Sequence, residues 1–76
     1  MMNFDNQFDA SGLACPLPIL KTSKALADMA SGQVLKLVAT DCGAVKDMQA
    51  FADQTGNSLL STEQANGAYT FYIRKN

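Results

Sequence analysis

The chemistry that this sequence can support centres on its two cysteines, Cys15 and Cys42. The chain contains no histidine, which excludes Ser-His and Cys-His pairs and any histidine-based metal site. Two cysteines without histidine also cannot complete a zinc site within one chain. We therefore expect no metal and no cofactor, and we expect a thiolate that is activated by backbone dipoles or nearby cations.

Cys15 stands directly before a helix start that two prolines define. Pro16 and Pro18 are compatible with a first helical turn, because the N–H groups there have no intrahelical partner and proline already has a helical φ. Gly12 places a turn just ahead of them. A buried, inert cysteine is the alternative, but packing explains this placement poorly. We predict that Cys15 is the reactive residue and that Gly12, Pro16 and Pro18 shape its site.

The expected helix start would favour the thiolate of Cys15. If Cys15 caps the helix, the N–H groups of Leu17 and Ile19 and the positive end of the helix dipole face its sulfur. Such a position lowers a thiol pKa from about 8.5 to roughly 3.5 to 7.5. A thiolate would then be available at neutral pH.

The charges of the first helix run against its dipole. Lys21 and Lys24 lie toward the N-terminal half and Asp28 toward the C-terminal half, whereas the dipole favours the opposite order. A positive field beside Cys15 would favour an anionic sulfur and attract an acidic partner surface. An ordinary solvated face is the alternative interpretation. We treat the two lysines as candidates for partner docking.

Cys42 has weaker support, since only Asp41 and Gly43 mark its position. Both cysteines are expected to follow strands that lead into helices, so Cys42 should lie on the same edge of the sheet as Cys15. A disulfide needs Cα atoms within about 7 Å. We predict that the pair stays just beyond that reach, with Cys42 as a secondary thiol that the chemistry of Cys15 does not require.

Length, charge and hydropathy narrow the function classes. The 76 residues, 47% of them hydrophobic, suit a single domain spanning 1–76 with a small core and a surface site. The net charge of -1 without a Lys/Arg block gives no support for direct nucleic-acid binding. Neither a long apolar run nor a basic leader precedes the domain, so we expect no membrane association and a cytoplasmic location.

Hydrophobic periodicity predicts the elements that must position the cysteines. Alternation predicts strands, three- and four-residue spacing predicts helices, and Asn66-Gly67 predicts a hairpin turn. The predicted elements are strand 3–9, helix 17–30 capped by Gly32, strand 34–40, helix 43–55, and strands 58–64 and 68–75. The order βαβαββ predicts an α/β (α+β) fold, with a four-stranded mixed sheet and two helices on one face.

Three segments resemble the TusA/SirA-like sulfur-carrier family. They are residues 9–18 with the Cys-Pro-x-Pro motif, residues 40–44 with Asp47, and the closing residues 69–75. The resemblance covers essentially the whole chain. It implies a two-layer sandwich and a persulfide on Cys15. It also implies partners such as cysteine desulfurases, rhodanese-like proteins and DsrE-type proteins, in tRNA thiolation, sulfur oxidation or cofactor synthesis. The family commonly has proline where this chain has Cys42.

We therefore expect a sulfurtransferase that acts as a stoichiometric carrier, as a monomer or weak dimer. The Cys15 thiolate would attack a donor persulfide, become Cys15-S-SH, and yield its outer sulfur to an acceptor thiol. No general base is needed if both nucleophiles are thiolates already. Two alternatives remain: a thiol-disulfide redox module using Cys15 and Cys42, and a non-catalytic regulatory or RNA-contacting domain.

Overall fold

A four-stranded mixed sheet carries two helices in the computed structural model, which describes residues 3–41 and 43–76. The strand order is β1-β2-β4-β3, with β1 parallel to β2 and the other pairs antiparallel. The predicted βαβαββ order and fold class are confirmed. The elements are β1 Asn6–Ala10, α1 Leu17–Ala27, β2 Val34–Ala39, α2 Ala44–Thr55, β3 Ser58–Ala65 and β4 Ala68–Arg74.

The core lies between the sheet and the helices. Along β2, Leu35, Leu37 and Ala39 are buried while the alternate residues are half-buried, as the two-residue period of a strand requires. In register with them, Phe71 and Ile73 of β4 lie on the same face. These side chains form one cluster with Leu26 of α1 and with Met29, which follows α1. The cluster also includes three residues of α2: Ala44, Met48 and Ala52. Both helices therefore cover one face of the sheet.

The hairpin between β3 and β4 forms as predicted. Asn66 and Gly67 both have positive φ, at 53° and 79°, as a two-residue hairpin turn requires. Ala65 and Ala68 close the pairing on either side. The last strand of the chain is thereby placed at the centre of the sheet, between β2 and β3.

The predicted first helix is too long at its C-terminal end. α1 ends at Ala27 instead of residue 30. The N–H groups of Asp28 and Met29 donate to carbonyls three residues back, at 3.2 and 3.0 Å, which tightens the last turn and ends the α-helical ladder. Met29 therefore lies beyond the end of the helix, and its side chain is buried in the core. Gly32, the predicted cap, lies in the following loop with φ 88°.

The exposure of three side chains departs from what their residue types favour: Phe4, Leu20 and Thr22. β1 begins at Asn6, so Phe4 lies before the strand, 37% exposed, with its ring centroid 5.3 Å from Lys36 Nζ. Leu20 of α1 is apolar but 57% exposed. Thr22 is buried instead. Its hydroxyl donates to the Pro18 carbonyl at 2.7 Å, so burial leaves no polar atom unpaired.

Within the two described segments, no helix combines the length and apolar character needed to cross a membrane.

A matched pair of leucine truncations tests the position of the core. Leu37→Ala removes a fully buried side chain and should lower the free energy of unfolding by about 2–5 kcal/mol, because a cavity remains. Leu20→Ala makes the same chemical change at an exposed site and should stay within about 0.5 kcal/mol. Urea denaturation followed by circular dichroism measures both. Equal losses for the two variants would contradict this assignment of the core.

Candidate functional site around Cys15

Cys15 is a free, exposed thiol in the loop between β1 and α1. This exposure contradicts the alternative in which the cysteine is buried. The loop is held to the end of β2 at two points. The N–H of Gly12 donates to Thr40 Oγ1 at 2.8 Å, and the N–H of Cys15 donates to Asp41 Oδ2 at 3.0 Å. The backbone of the cysteine is therefore fixed by a neighbouring strand end.

The beginning of this loop is also ordered by local hydrogen bonds. Asp9 Oδ1 accepts a bond from the Ser11 N–H at 2.8 Å, and the Leu13 N–H donates to the Ala10 carbonyl at 3.2 Å. The bonds from Ser11 lower the pKa of Asp9 because they stabilise its carboxylate. Gly12 has φ 81°, a conformation that glycine adopts without strain. The glycine thus lets the chain turn from β1 toward Cys15.

Pro16, and not Cys15, is the residue at the N-cap of α1. The peptide bond between the two residues is cis. The N–H groups expected to face the sulfur are occupied: Leu17 donates to the Ala14 carbonyl at 2.9 Å and Ile19 to the Pro16 carbonyl at 3.1 Å. Because proline has no N–H, the first free donor is that of Leu17, and a tight turn takes it. The predicted capping by Cys15 is therefore wrong.

The predicted low pKa of Cys15 is also wrong. A side-chain hydrogen bond with the Asp47 carboxylate raises the pKa of the Cys15 thiol, and desolvation and the negative charges of Asp47 and Asp41 raise it further. A carboxylate beside a thiol opposes formation of a second negative charge. The raised pKa shifts Cys15 toward its protonated form at neutral pH. The charges that act on the sulfur are thus negative, and the expected positive field from lysines is not observed.

The two carboxylates flank the start of α2. Asp41 follows β2, and Asp47 lies in the first turn of α2, where the helix dipole favours a negative charge. Asp41 Oδ1 accepts a bond from the Gly43 N–H at 3.4 Å. A β-carbon on Gly43 would lie 3.8 Å from Asp41 Oδ2 and 3.9 Å from Asp47 Oδ2. We call Asp41 and Asp47 the acidic pair.

Sequence reasoning included the acidic pair among the residues of the family resemblance but gave it no role. A usable signal was present in the sequence. The two aspartates lie on either side of a predicted strand-to-helix junction. Parallel strands place two such junctions at the same edge of a sheet. Their distance from Cys15 in the chain, more than 25 residues, hid this relation.

An open groove of about 230 Å³ leads away from the cysteine between the two helices. Its apolar side chains include Ile19 of α1 and Ala50 and Phe51 of α2, while Asp47 and Gln54 provide polar atoms. Cys15 and Pro16 stand at its edge. The groove can therefore take an apolar segment of a partner close to the sulfur.

Lys21 and Lys24 lie on a different side of α1. They line a second groove, of about 320 Å³, together with Phe8 and Asp9 of β1. Beside them, Leu17 and Leu20 are 45% and 57% exposed. Leu17, Leu20, Lys21 and Lys24 have the spacing of one helix surface, which we call the α1 outer face. The lysines are exposed and lie outside the groove that Cys15 borders.

The other predicted site residues have different outcomes. Pro18 is fully buried under the helix start, and Gly12 and Pro16 occupy the loop and the cap described above. Cys42 lies outside the described residues, so its predicted position and its relation to Cys15 stay predictions. Within residues 3–41 and 43–76, no three potential ligand side chains come together in a way that could hold a metal ion.

Known proteins resemble this chain along most of its length. The sequence profile of the family described as Sulfurtransferase TusA matches residues 6–75. The chain is 55% identical over 75 residues to the sulfur carrier protein TusA of Allochromatium vinosum, with 99% of each protein covered. It is 38% identical over 71 residues to the sulfur carrier protein TusA of Pseudomonas entomophila, covering 93% of this chain and 89% of that protein.

A solved structure has the same fold. The chain is similar to the crystal structure of a SirA-like protein from Desulfitobacterium hafniense, with a TM-score of 0.82 and 27% sequence identity over 92% of this chain and 96% of that one. The family resemblance inferred from the motifs is therefore confirmed, and the chain belongs to the TusA sulfurtransferase family.

Proposed function

We propose that this protein is a sulfur carrier that accepts a sulfur atom on Cys15 as a persulfide and passes it to a thiol of another protein. The observation that carries the proposal is the exposed Cys15, held by the Asp41 side chain at the edge of an open groove. The relatives named as sulfur carriers support it. An exposed sulfur on a fixed backbone is accessible to a thiol that another protein presents.

The transfer needs no atom from outside the two proteins. The sulfur of Cys15 attacks the outer sulfur of a donor persulfide, the new S–S bond forms, and the S–S bond of the donor breaks. The donor cysteine leaves as a thiolate and takes up the proton that Cys15 loses. In delivery, an acceptor thiolate attacks the outer sulfur of Cys15-S-SH, and the Cys15 thiolate leaves.

The surface around Cys15 suits protein partners better than a small substrate. The groove beside it is open and holds only about 230 Å³, whereas pockets that enclose a small ligand are concave and commonly larger. A cysteine desulfurase, a rhodanese-like protein or a DsrE-type protein would present its own cysteine at this groove. The exchange would take place in the cytoplasm, where thiols stay reduced, and the acceptor decides between tRNA thiolation, sulfur oxidation and cofactor synthesis.

Replacement of the two cysteines, one at a time, tests the carrier function. Cys15→Ser should abolish the gain of one sulfur atom after incubation with a persulfide donor, because the accepting sulfur is gone. The fold should persist, since Cys15 is exposed and its replacement opens no cavity. Cys42→Ala is the matched control and should still load and transfer sulfur at near-normal rates. Intact-protein mass spectrometry measures the loading.

The same spectra distinguish the alternative functions. Normal loading of Cys15→Ser would remove this residue from the mechanism. A loss of two hydrogen atoms in the wild type, with no gain of sulfur, would indicate a Cys15–Cys42 disulfide and favour the redox module. No mass change at all would favour the non-catalytic domain.

Charge reversal on the α1 outer face tests whether its lysines steer a partner. Lys21→Glu and Lys24→Glu should each slow association with an acidic donor protein at low salt and change dissociation less, because peripheral charges act mainly on encounter. Stopped-flow or surface-based kinetics measures both rates. Arg74→Glu is the control, since this exposed residue pairs with Val34 at the opposite end of the sheet. Association rates that match this control would make the two lysines an ordinary solvated face.

A further inference from the structure

The negative charges beside the Cys15 sulfur disfavour the thiolate, which is the nucleophilic form of a cysteine. Reactive cysteines normally lie in electropositive surroundings, where the thiolate is stabilised. Here Asp47 borders the same groove as Cys15, and Asp41 Oδ2 accepts a hydrogen bond from the backbone N–H of Cys15 at 3.0 Å. Asp47 and, after it, Asp41 raise the pKa of the thiol. The surroundings therefore favour a neutral sulfur in the free protein.

The negative charges beside the cysteine come from two elements, the loop after β2 and helix α2. Asp41 faces it from the loop after β2, and Asp47 faces it from α2 across the groove that both residues border. The α1 side of the groove contributes Pro16 and Ile19, which carry no charge. Lys21 and Lys24 line the groove on the other side of α1. In the described part of the chain, the acidic pair thus supplies the charges that act on the thiol.

The pair is also fixed in place. Asp41 is held by the N–H groups of Cys15 and Gly43. Asp47 is held by its position in the first helical turn, where its own N–H donates to the Gly43 carbonyl at 3.1 Å. Neither carboxylate is placed on a long, freely rotating side chain. Hydrogen bonds therefore fix the backbone from which both carboxylates project in the free protein.

We propose that the acidic pair controls the charge of the Cys15 sulfur, keeping it protonated and weakly nucleophilic until a partner protein places a basic side chain against Asp41 and Asp47. This inference rests on the proposed carrier function and names the chemistry of its partners: a lysine or arginine close to the partner's reactive cysteine. Neutralising the pair converts Cys15 from a resting thiol into a thiolate at the moment of contact.

The same charges affect delivery of the sulfur. When an acceptor thiolate attacks the outer sulfur of Cys15-S-SH, the S–S bond breaks and its electron pair goes to the Cys15 sulfur. A thiol with a lower pKa leaves faster, so a leaving thiolate beside two carboxylates leaves slowly. Stray thiols would therefore remove the sulfur poorly, whereas a partner with a basic side chain would remove it quickly. The acidic pair therefore makes both the loading of sulfur onto Cys15 and its delivery depend on a basic side chain of the partner.

Alkylation of Cys15 by iodoacetamide as a function of pH tests the proposal, because only the thiolate reacts. Tryptic peptides separate the two cysteines, since residues 1–21 contain Cys15 and residues 37–46 contain Cys42. Asp47→Asn should move the Cys15 profile to lower pH and raise the rate at neutral pH several-fold. Asp41→Asn should have a smaller effect in the same direction, and its amide oxygen can still accept the Cys15 N–H bond.

Asp53→Asn is the matched control for charge. Asp53 lies on α2, is exposed, and bonds Gln49 at 3.0 Å, so its profile should match the wild type. A second readout compares a cationic disulfide, cystamine, with an anionic one, dithiodiglycolate. The wild type should react several-fold faster with the cation, and Asp41→Asn/Asp47→Asn should lose most of this preference.

An unchanged alkylation profile in Asp47→Asn, or an unchanged preference in the double variant, overturns the charge control. Sulfur loading is measured separately by mass spectrometry on the same samples. A wild type that never gains a sulfur atom overturns the carrier function, whatever the alkylation profiles show. The two failures are therefore distinguishable.

Discussion

The parallel pairing of β1 with β2 is the constraint on which the site depends. Ala10 lies opposite Ala39 at the ends of the two strands, so the chain leaves both strands at the same edge of the sheet. The connection after β1 contains Cys15, and the connection after β2 contains Asp41 and leads to α2. The hydrogen bond that the Cys15 N–H donates to Asp41 Oδ2 joins these two connections. Any shift in the register of this pair would separate the cysteine from the carboxylates.

The elements of the fold were predictable because each has a strong local pattern. The aliphatic run of β2, the Asn66-Gly67 turn and the alternation of β4 are all readable without tertiary information. The end of α1 was not, because Asp28 and Met29 close three-residue turns that depend on where Met29 reaches the core. The burial of Thr22 was also hidden, because it requires knowing that the Pro18 carbonyl accepts its hydroxyl.

The site was predictable in position but not in electrostatics. Cys15 stands out from its proline-flanked helix start, and the structure places it on an exposed loop. Its charge environment was inferred from its own helix, where Lys21 and Lys24 are the nearest cations along the chain. The decisive charges come from Asp41 and Asp47, which only the sheet topology brings close. Local reasoning thus pointed to an exposed cysteine but mistook the sign of the charges around it.

The last strand of the chain occupies a central place in the sheet, and this order affects folding during synthesis. Cys15, Asp41 and Asp47 all leave the ribosome before β4, yet β2 gains its second neighbour only when Ala68–Arg74 has emerged. Pairing between segments that are distant in sequence is slow to form, and unpaired strand edges favour aggregation in incomplete chains. A nascent chain therefore contains Cys15 before its sheet is complete. Emergence of the β3–β4 hairpin is the step that allows the four-stranded sheet to form.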